Sequence, residues 1–120
     1  MEAQEVVEAL GLARHPEGGW FRETWREPAG TAIYYLLAAG EESRRHRLDK
    51  TEVWHFYAGD PLRLDVGEEA FVLGADIGAG QRPQVVVPAR VWQSARPLGA
   101  WTLAGCTVSP AFEYAGFELA

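Results

Sequence analysis

The feature that most constrains the fold is a series of short apolar segments, each ended by a turn, that occupies the chain after residue 20. Thirteen Gly and seven Pro are spread along the chain and supply the turns. Each segment has the length of a strand, and no helical segment separates them as a parallel βαβ arrangement would require. The series therefore predicts an antiparallel β-sandwich or barrel. The expected strands cover residues 20–26, 31–37, 44–47, 52–58, 62–66, 70–73, 83–87, 91–95, 101–108 and 112–118.

One helix is expected, at the N-terminus, over about residues 3–10. Val6, Val7 and Leu10 form an apolar stripe, acidic residues lie in the first turn, and Gly11 can end the helix. We expect this helix to pack on the edge of a sheet. A chain of 120 residues is long enough to bury a core as one domain. We therefore expect a single domain over residues 1–120, with the β-structure covering about 20–118.

Composition excludes some partners. A formal net charge of −6 argues against binding to nucleic acid or to an anionic membrane surface. The sequence has no apolar run that could span a membrane, and a cytoplasmic location is expected. Cys106 is the single cysteine, so no internal disulfide can form. It lies in an apolar strand-like segment, which favours an inert buried thiol over a nucleophile.

Two polar motifs stand out against this β-rich background. Residues 46–59 carry His46, Glu52 and Gly59 in the frame H-x5-E-x6-G. This frame is the first cupin motif, except that Leu48 stands where a second histidine is usual. Residues 88–93 fit the second cupin motif, P-x-G-x-x-H, with Arg90 in place of the glycine and Gln93 in place of the histidine.

Further blocks resemble one cupin group in particular. They are His-Pro-Glu-Gly-Gly-Trp-Phe-Arg-Glu-Thr at 15–24, Trp-His-Phe-Tyr-Ala-Gly-Asp-Pro-Leu at 54–62, and Gly-Cys-Thr-Val at 105–108. The chain is similar to the cupin-5 group, long labelled a domain of unknown function. The resemblance implies a double-stranded β-helix (jelly roll), a homodimer, and a likeness to small-molecule cupins such as sugar-nucleotide epimerases.

The resemblance also implies a pocket. In a cupin the first His and the Glu lie on adjacent strands and point into the barrel. If Glu52 points inward, alternation along the strand directs Trp54 and Phe56 inward as well. The predicted pocket has His46, Glu52 and Gln93 on its floor, and Trp54 and Phe56 as its walls.

This residue set is a poor metal site. His46 and Glu52 are strong donors, but Gln93 is a weak oxygen ligand and Leu48 is apolar. We expect no cofactor. A divalent transition metal, if one bound, would use His46, Glu52 and Gln93.

Without a metal, His46 and Glu52 form a candidate acid–base pair for a small polar ligand, sugar- or phosphate-bearing. The first hypothesis is a metal-independent isomerase or epimerase with His46 as base and Gln93 orienting the substrate. The second is a ligand-binding or sensing module with the same pocket and no turnover. The structural alternative to both is that His46 and Glu52 are only a buried hydrogen-bonded pair inherited from a metal-binding ancestor. The third is a metal-dependent cupin enzyme.

The segment at 15–24 leaves two alternatives open. His15 or Glu17 could cap the barrel mouth, or their loop could be only a tight turn that uses glycines at positive φ. Arg22 and Glu23 lie on opposite faces of one strand. An inward Arg22 would bind a phosphate or carboxylate, whereas an inward Glu23 would pair with His46.

Alternation also directs some large side chains outward. His55, Tyr57 and Trp92 are expected to face away from the cavity. Because soluble monomers rarely expose such residues together, they are interpreted as part of a homodimer contact.

Overall fold

The computed structural model describes residues 1–120. One helix and eleven strands follow each other along the chain, with 3-10 turns at residues 77–79 and 114–116. The elements are α1 (Ala3–Leu10), β1 (Ala13–Arg14), β2 (Trp20–Glu27), β3 (Gly30–Ala38), β4 (Ser43–Leu48), β5 (Glu52–Gly59), β6 (Leu62–Val66), β7 (Glu69–Leu73), β8 (Gln84–Val87), β9 (Gln93–Pro97), β10 (Trp101–Val108) and β11 (Phe117–Leu119).

The strands form two antiparallel sheets. The first has six strands in the order β1-β2-β3-β10-β5-β8, and the second has five in the order β11-β4-β9-β6-β7. One core cluster joins side chains from both sheets, including Trp54 of the first sheet and Leu64 of the second. The sheets therefore face each other, which confirms the predicted all-β fold with a short N-terminal helix.

Helix α1 has the termini that the sequence predicts. Glu2 and Glu5 form a capping box at its start, and Gly11 ends it with a φ of 65°. Val6 and Val7 are buried in a cluster with Leu36. Since Leu36 lies on β3, inside the six-stranded sheet, the helix covers the outer face of that sheet and not its edge.

The interior of the barrel is filled at one end only. Trp54, Leu62, Leu64 and Leu73 are each at most 1% exposed and belong to one cluster. Burying a large apolar side chain stabilises a fold by about 1.5–3 kcal/mol, so this end supplies much of the stability.

The predicted final strand, 112–118, is the largest error in the secondary structure. Only Phe117–Leu119 forms a strand, and it pairs with β4. Phe112 and Tyr114 instead lie in a loop and a 3-10 turn, and both line a cavity. Aromatic residues favour strands on average, but here their packing against the open end of the barrel decides the conformation. No helix of the chain has the length and apolar character that crossing a membrane would need.

Candidate functional site

The unfilled end of the barrel holds a cavity of about 270 Å³. Its ionisable and polar lining side chains are His15, Glu17, Glu23, Thr31, His46, Glu52 and Cys106. Its apolar and aromatic walls are Phe21, Ile33, Leu48, Val108, Phe112, Tyr114 and Phe117. No Lys or Arg lines it.

The register of the six-stranded sheet explains half of this lining. Cys106 of β10 lies opposite Ile33 of β3 and Trp54 of β5, and Ile33 lies opposite Glu23 of β2. Directly opposite residues share one face of a sheet, so this row points inward as a unit. In the next row toward the mouth, Val108 lies opposite Glu52.

His46 is held by its Nδ1 atom. This nitrogen lies 2.7 Å from the Arg44 carbonyl oxygen and 3.3 Å from Glu17 Oε2. Because a carbonyl only accepts, Nδ1 carries the hydrogen and Nε2 keeps its lone pair. Nε2 has no hydrogen-bond partner, and no buried side-chain polar atom is unpaired, so Nε2 opens onto the cavity. Burial lowers the pKa of His46, which favours the neutral imidazole.

Glu17 lies at the centre of the polar network. It is buried, its Oε2 accepts a hydrogen bond from the Ser43 hydroxyl, and its Oε1 lies 3.4 Å from His15 Nδ1. Burial, and then the nearby Glu52 carboxylate, raise the pKa of Glu17 well above its ordinary value. Burial also lowers the pKa of His15 to about 4, with the neighbouring His46 adding to the shift. The raised pKa of Glu17 and the lowered pKa of His15 both favour the uncharged pair, a protonated Glu17 beside a neutral His15.

Glu52 is fixed from behind by a buried chain of hydrogen bonds. Trp54 Nε1 donates to Gln93 Oε1 at 2.8 Å, and Gln93 Nε2 donates to Glu52 Oε1 at 2.9 Å. An indole N–H can only donate, so Trp54 sets the orientation of the Gln93 amide, and that amide makes Glu52 Oε1 an acceptor. Any proton on Glu52 therefore belongs to Oε2, which has no nitrogen or oxygen partner. The carboxyl also has a hydrogen bond with the Cys106 thiol, and both residues line the cavity.

The pKa of Glu52 is raised to about 7, chiefly by burial. Hydrogen bonds with Gln93 and with the Cys106 thiol oppose part of this rise. The Cys106 thiol lies beside the carboxyl, and burial raises the pKa of Cys106 well above its ordinary value. This thiol stays protonated at neutral pH, in agreement with its interpretation as an inert group.

The structure brings together only part of the predicted pocket. His46 and Glu52 both line the cavity, but no hydrogen bond joins them, and the carboxyl closest to His46 is that of Glu17. Gln93, Trp54 and Phe56 point inward but do not line the cavity, so their predicted place on its floor and walls is wrong. They lie deeper, where Gln93 is buried behind Glu52 and the two aromatic rings pack in the core.

The pairing of β2 with β3 determines whether Arg22 or Glu23 points into the barrel. Arg22 lies opposite Tyr34 on the outer face, and its guanidinium donates to the Leu10 carbonyl at 3.2 Å. An anion site built on Arg22 inside the barrel is therefore excluded by its position. Glu23 lines the cavity, but it pairs with Arg26 at 2.7 Å and not with His46.

The loop at 15–19 combines both alternatives that the sequence left open. Gly18 and Gly19 have φ values of 107° and 77°, as a tight turn of this kind requires. That same turn directs His15 and Glu17 into the cavity. Sequence reasoning missed that Glu17 would be the hub of the polar network, because its partner Ser43 is distant along the chain.

His55, Tyr57 and Trp92 all lie outside the cavity. They do not form one surface, however. His55 and Tyr57 stack on the outer face of the six-stranded sheet, with ring centroids 6.4 Å apart. Trp92 precedes β9 of the other sheet and packs under Arg45 and Arg47. The homodimer stays a prediction, and a contact that uses all three together does not fit this placement.

A metal is not suited to this cavity. No group of three or more His, Cys, Asp or Glu side chains converges in a way that could hold an ion. In the predicted trio His46, Glu52 and Gln93, the amide of Gln93 already donates to Glu52 and accepts from Trp54. A cupin fold can bind a metal, but the donors present here do not form such a site.

Two facing antiparallel sheets around a cavity at one end of the barrel define a double-stranded β-helix protein of the cupin type. The chain belongs to the cupin-5 family, described as Cupin superfamily (DUF985), whose family model matches residues 4–120. The resemblance drawn from the motifs is thereby confirmed.

Solved structures of similar proteins agree with this assignment. A protein from Shewanella oneidensis is 36% identical, with a TM-score of 0.94 over 100% of this chain and 85% of that one. A hypothetical protein from Leishmania major is 28% identical, with a TM-score of 0.94 over 100% and 88%. An uncharacterised double-stranded β-helix protein from Klebsiella pneumoniae is 13% identical, with a TM-score of 0.70 over 91% and 90%, and shows the fold alone. No curated protein matches the sequence.

Proposed function

We propose that the protein binds a small molecule in the cavity and moves a proton on it, as an isomerase or epimerase does, without a metal. His46 is the base and Glu52 is the acid. The observation that carries the proposal is that two buried residues, His46 and Glu52, line one cavity, and that His46 Nε2 and Glu52 Oε2 have no nitrogen or oxygen partner within the protein.

The protonation states support the two roles. A base must be deprotonated at rest, and burial favours the neutral form of His46. An acid must hold a proton that it can give up, and a Glu52 pKa of about 7 leaves the carboxyl about half protonated at neutral pH. Two groups whose environments suit opposite roles are typical of proton-transfer sites.

The proposed step is an enolisation. His46 Nε2 removes a proton from a carbon next to a carbonyl group, and Glu52 Oε2 donates its proton to the carbonyl oxygen. The enol forms, His46 becomes the imidazolium and Glu52 the carboxylate. Return of the proton to a different carbon or face gives the isomer and restores both residues. General acid–base catalysis of this kind contributes roughly 10²–10⁴ to a rate.

Glu17 and Gln93 act as positioning residues in this scheme. Glu17 and the Arg44 carbonyl hold the Nδ1 side of His46, so that Nε2 faces the ligand. Gln93 occupies Oε1 of Glu52, so that Oε2 faces the ligand. A small ligand is favoured because the cavity is only about 270 Å³.

Solvent hydrogen exchange tests the proposal without knowledge of the natural substrate. Dihydroxyacetone, glyceraldehyde and aminoacetone are incubated with the protein in deuterated water, and loss of the C–H signal next to the carbonyl is followed by NMR. Wild type should accelerate exchange on at least one compound. His46→Gln should reduce that acceleration at least 100-fold, and Glu52→Gln should reduce it as well.

His55→Gln is the matched control, since His55 lies on the outer face of the sheet and should leave exchange unchanged. Exchange that survives in His46→Gln would refute the assigned base. A wild type that exchanges none of the compounds, but is stabilised thermally by one of them, would favour the ligand-binding module instead.

A further inference from the structure

We propose that the cavity selects a small organic cation, a molecule that carries an ammonium group held among carboxyl groups and aromatic rings. This inference rests on the binding part of the proposed function and names the ligand class. An ammonium group bonded to Glu52 Oε2 needs the ionised carboxylate, whereas the proton transfer uses the protonated form. It replaces the phosphate-bearing ligand that an inward Arg22 would have implied.

The charges around the cavity support a cationic ligand. Three carboxyl groups line it, those of Glu17, Glu23 and Glu52, and no Lys or Arg does. Arg26 is paired with Glu23, and the Arg44 guanidinium donates to the Pro16 carbonyl. The raised pKa of Glu17 keeps that carboxyl protonated, and Glu23 is already paired. Glu52 therefore supplies the unpaired negative charge, and an anionic ligand would meet it with no free cation in the cavity.

Two atoms of the cavity, Glu52 Oε2 and His46 Nε2, are hydrogen-bond acceptors when Glu52 is ionised. Glu52 Oε2 and neutral His46 Nε2 belong to residues that are 7% and 1% exposed, and neither atom has a nitrogen or oxygen partner within the protein. The one further contact of the Glu52 carboxyl is with the Cys106 thiol, a weak donor. An ammonium group has only donors to offer, so it can bond to either acceptor. Hydrogen bonds between a charged donor and a carboxylate are stronger than neutral ones.

The aromatic walls suit the same ligand. Phe112, Tyr114 and Phe117 form a cluster of rings at steep angles to one another, with centroids 4.9–6.3 Å apart, and all three line the cavity. Phe117 also stacks on His46 at 5.3 Å. Aromatic faces attract cations, and cages of such rings recognise ammonium groups in proteins.

The inference predicts a particular pH dependence. Burial raises the pKa of Glu52 to about 7, so the carboxylate that attracts the cation forms as the pH rises through this value. The other ionisable groups that line the cavity do not ionise between pH 6 and pH 8 or are already paired. They are Glu17, whose pKa is raised well above its ordinary value, the neutral His15 and His46, the Cys106 thiol, Tyr114, whose pKa is raised by burial, and Glu23 in its pair with Arg26. Affinity for a cation should therefore rise about tenfold from pH 6 to pH 8, as the ionised fraction of Glu52 does.

Three probes of one shape and different charge test the inference. Benzylamine, benzyl alcohol and benzoate are titrated into the full-length protein at pH 6 and pH 8 by isothermal calorimetry. At pH 8 benzylamine should bind at least tenfold more tightly than benzyl alcohol, and benzoate should bind most weakly. Glu52→Gln should remove the pH dependence for benzylamine. Glu68→Gln, in an exposed turn between β6 and β7, should leave it unchanged.

Circular dichroism of each variant establishes that it is folded. Equal binding of the amine and the alcohol, tighter binding of benzoate, an affinity that rises on acidification, or no binding of any probe at millimolar concentration would overturn the inference. If neutral carbonyl compounds undergo His46-dependent exchange but the amine is not preferred, only the assigned charge is wrong. If the amine is preferred but no exchange occurs, the charge stands and the proton transfer is wrong.

Discussion

Glu52→Gln should change how the stability of the protein depends on pH. The Glu52 carboxyl has a pKa near 7 in the folded state and an ordinary value of 4.5 when exposed. Between these two values the folded state keeps a proton that the unfolded state has lost, so ionisation opposes folding increasingly as the pH rises. The full difference corresponds to about 3 kcal/mol of unfolding free energy, absent below pH 4.5 and complete above pH 7. Glutamine resembles the protonated carboxyl and cannot ionise, so the Glu52→Gln variant should not lose this unfolding free energy as the pH rises.

Urea unfolding at pH 5 and pH 8.5 measures the effect. The unfolding free energy of Glu52→Gln, relative to wild type, should rise by about 2–3 kcal/mol from the lower to the higher pH. The comparison with wild type matters because Glu17 has a pKa raised in the same direction and contributes to the pH dependence of both proteins. Glu68→Gln, on the exposed turn, should follow wild type. Parallel pH profiles for Glu52→Gln and wild type would refute the argument that burial raises the pKa of this carboxyl.

Two further substitutions test the elements behind the cavity. Gln93→Leu should lower the unfolding free energy by about 2–5 kcal/mol in urea titrations, because it leaves Trp54 Nε1 and Glu52 Oε1 buried without partners; a loss under 1 kcal/mol would contradict this. Gly18→Ala should destabilise the protein by more than Gly40→Ala in thermal melts. Both glycines have positive φ, but only at Gly18 does a backbone carbonyl oxygen occupy the place of the added methyl group. Equal melting temperatures for the two variants would show that the loop adapts freely.

The sequence predicts whether a side chain points into the barrel better than it predicts how far that side chain lies from the cavity. Alternation along β5 correctly directs Glu52 and Trp54 inward, and both are buried. It does not say where the filled core ends and the cavity begins, since that depends on the volumes of side chains from other strands, such as Leu64 and Leu73. For this reason alternation predicts Trp54, Phe56 and Gln93 in the pocket, whereas they lie in the filled part of the barrel beneath it.

The pairing of neighbouring strands shows which side chains point inward where alternation along one strand does not. Glu23 could be recognised as inward only from its register opposite Ile33, and a register shift after Glu23 breaks the alternation along β2. A second irregularity displaces Tyr57 from the ladder, since Phe56 and Ala58 lie opposite the consecutive residues Ala104 and Leu103. Bulges of this kind leave no reliable trace in a single sequence.

The two ends of the barrel have different effects on stability, and the difference supports a function for the open end. The filled end buries Leu62, Leu64 and Leu73 completely, and such burial stabilises the fold. At the open end Glu17 and Glu52 are buried with raised pKa values, so each carboxyl reduces stability at neutral pH. A barrel that served only as a scaffold would be more stable with apolar side chains at these two positions, because replacing buried ionisable groups by packed apolar ones is often stabilising. Ionisable side chains that reduce stability and also line a cavity are typical of sites where binding or catalysis needs those side chains. Double replacement of Glu17 and Glu52 by Gln should therefore raise the melting temperature at pH 8 and abolish cation binding. A double variant that melted at a lower temperature than wild type and still bound the cation with wild-type affinity would contradict this argument.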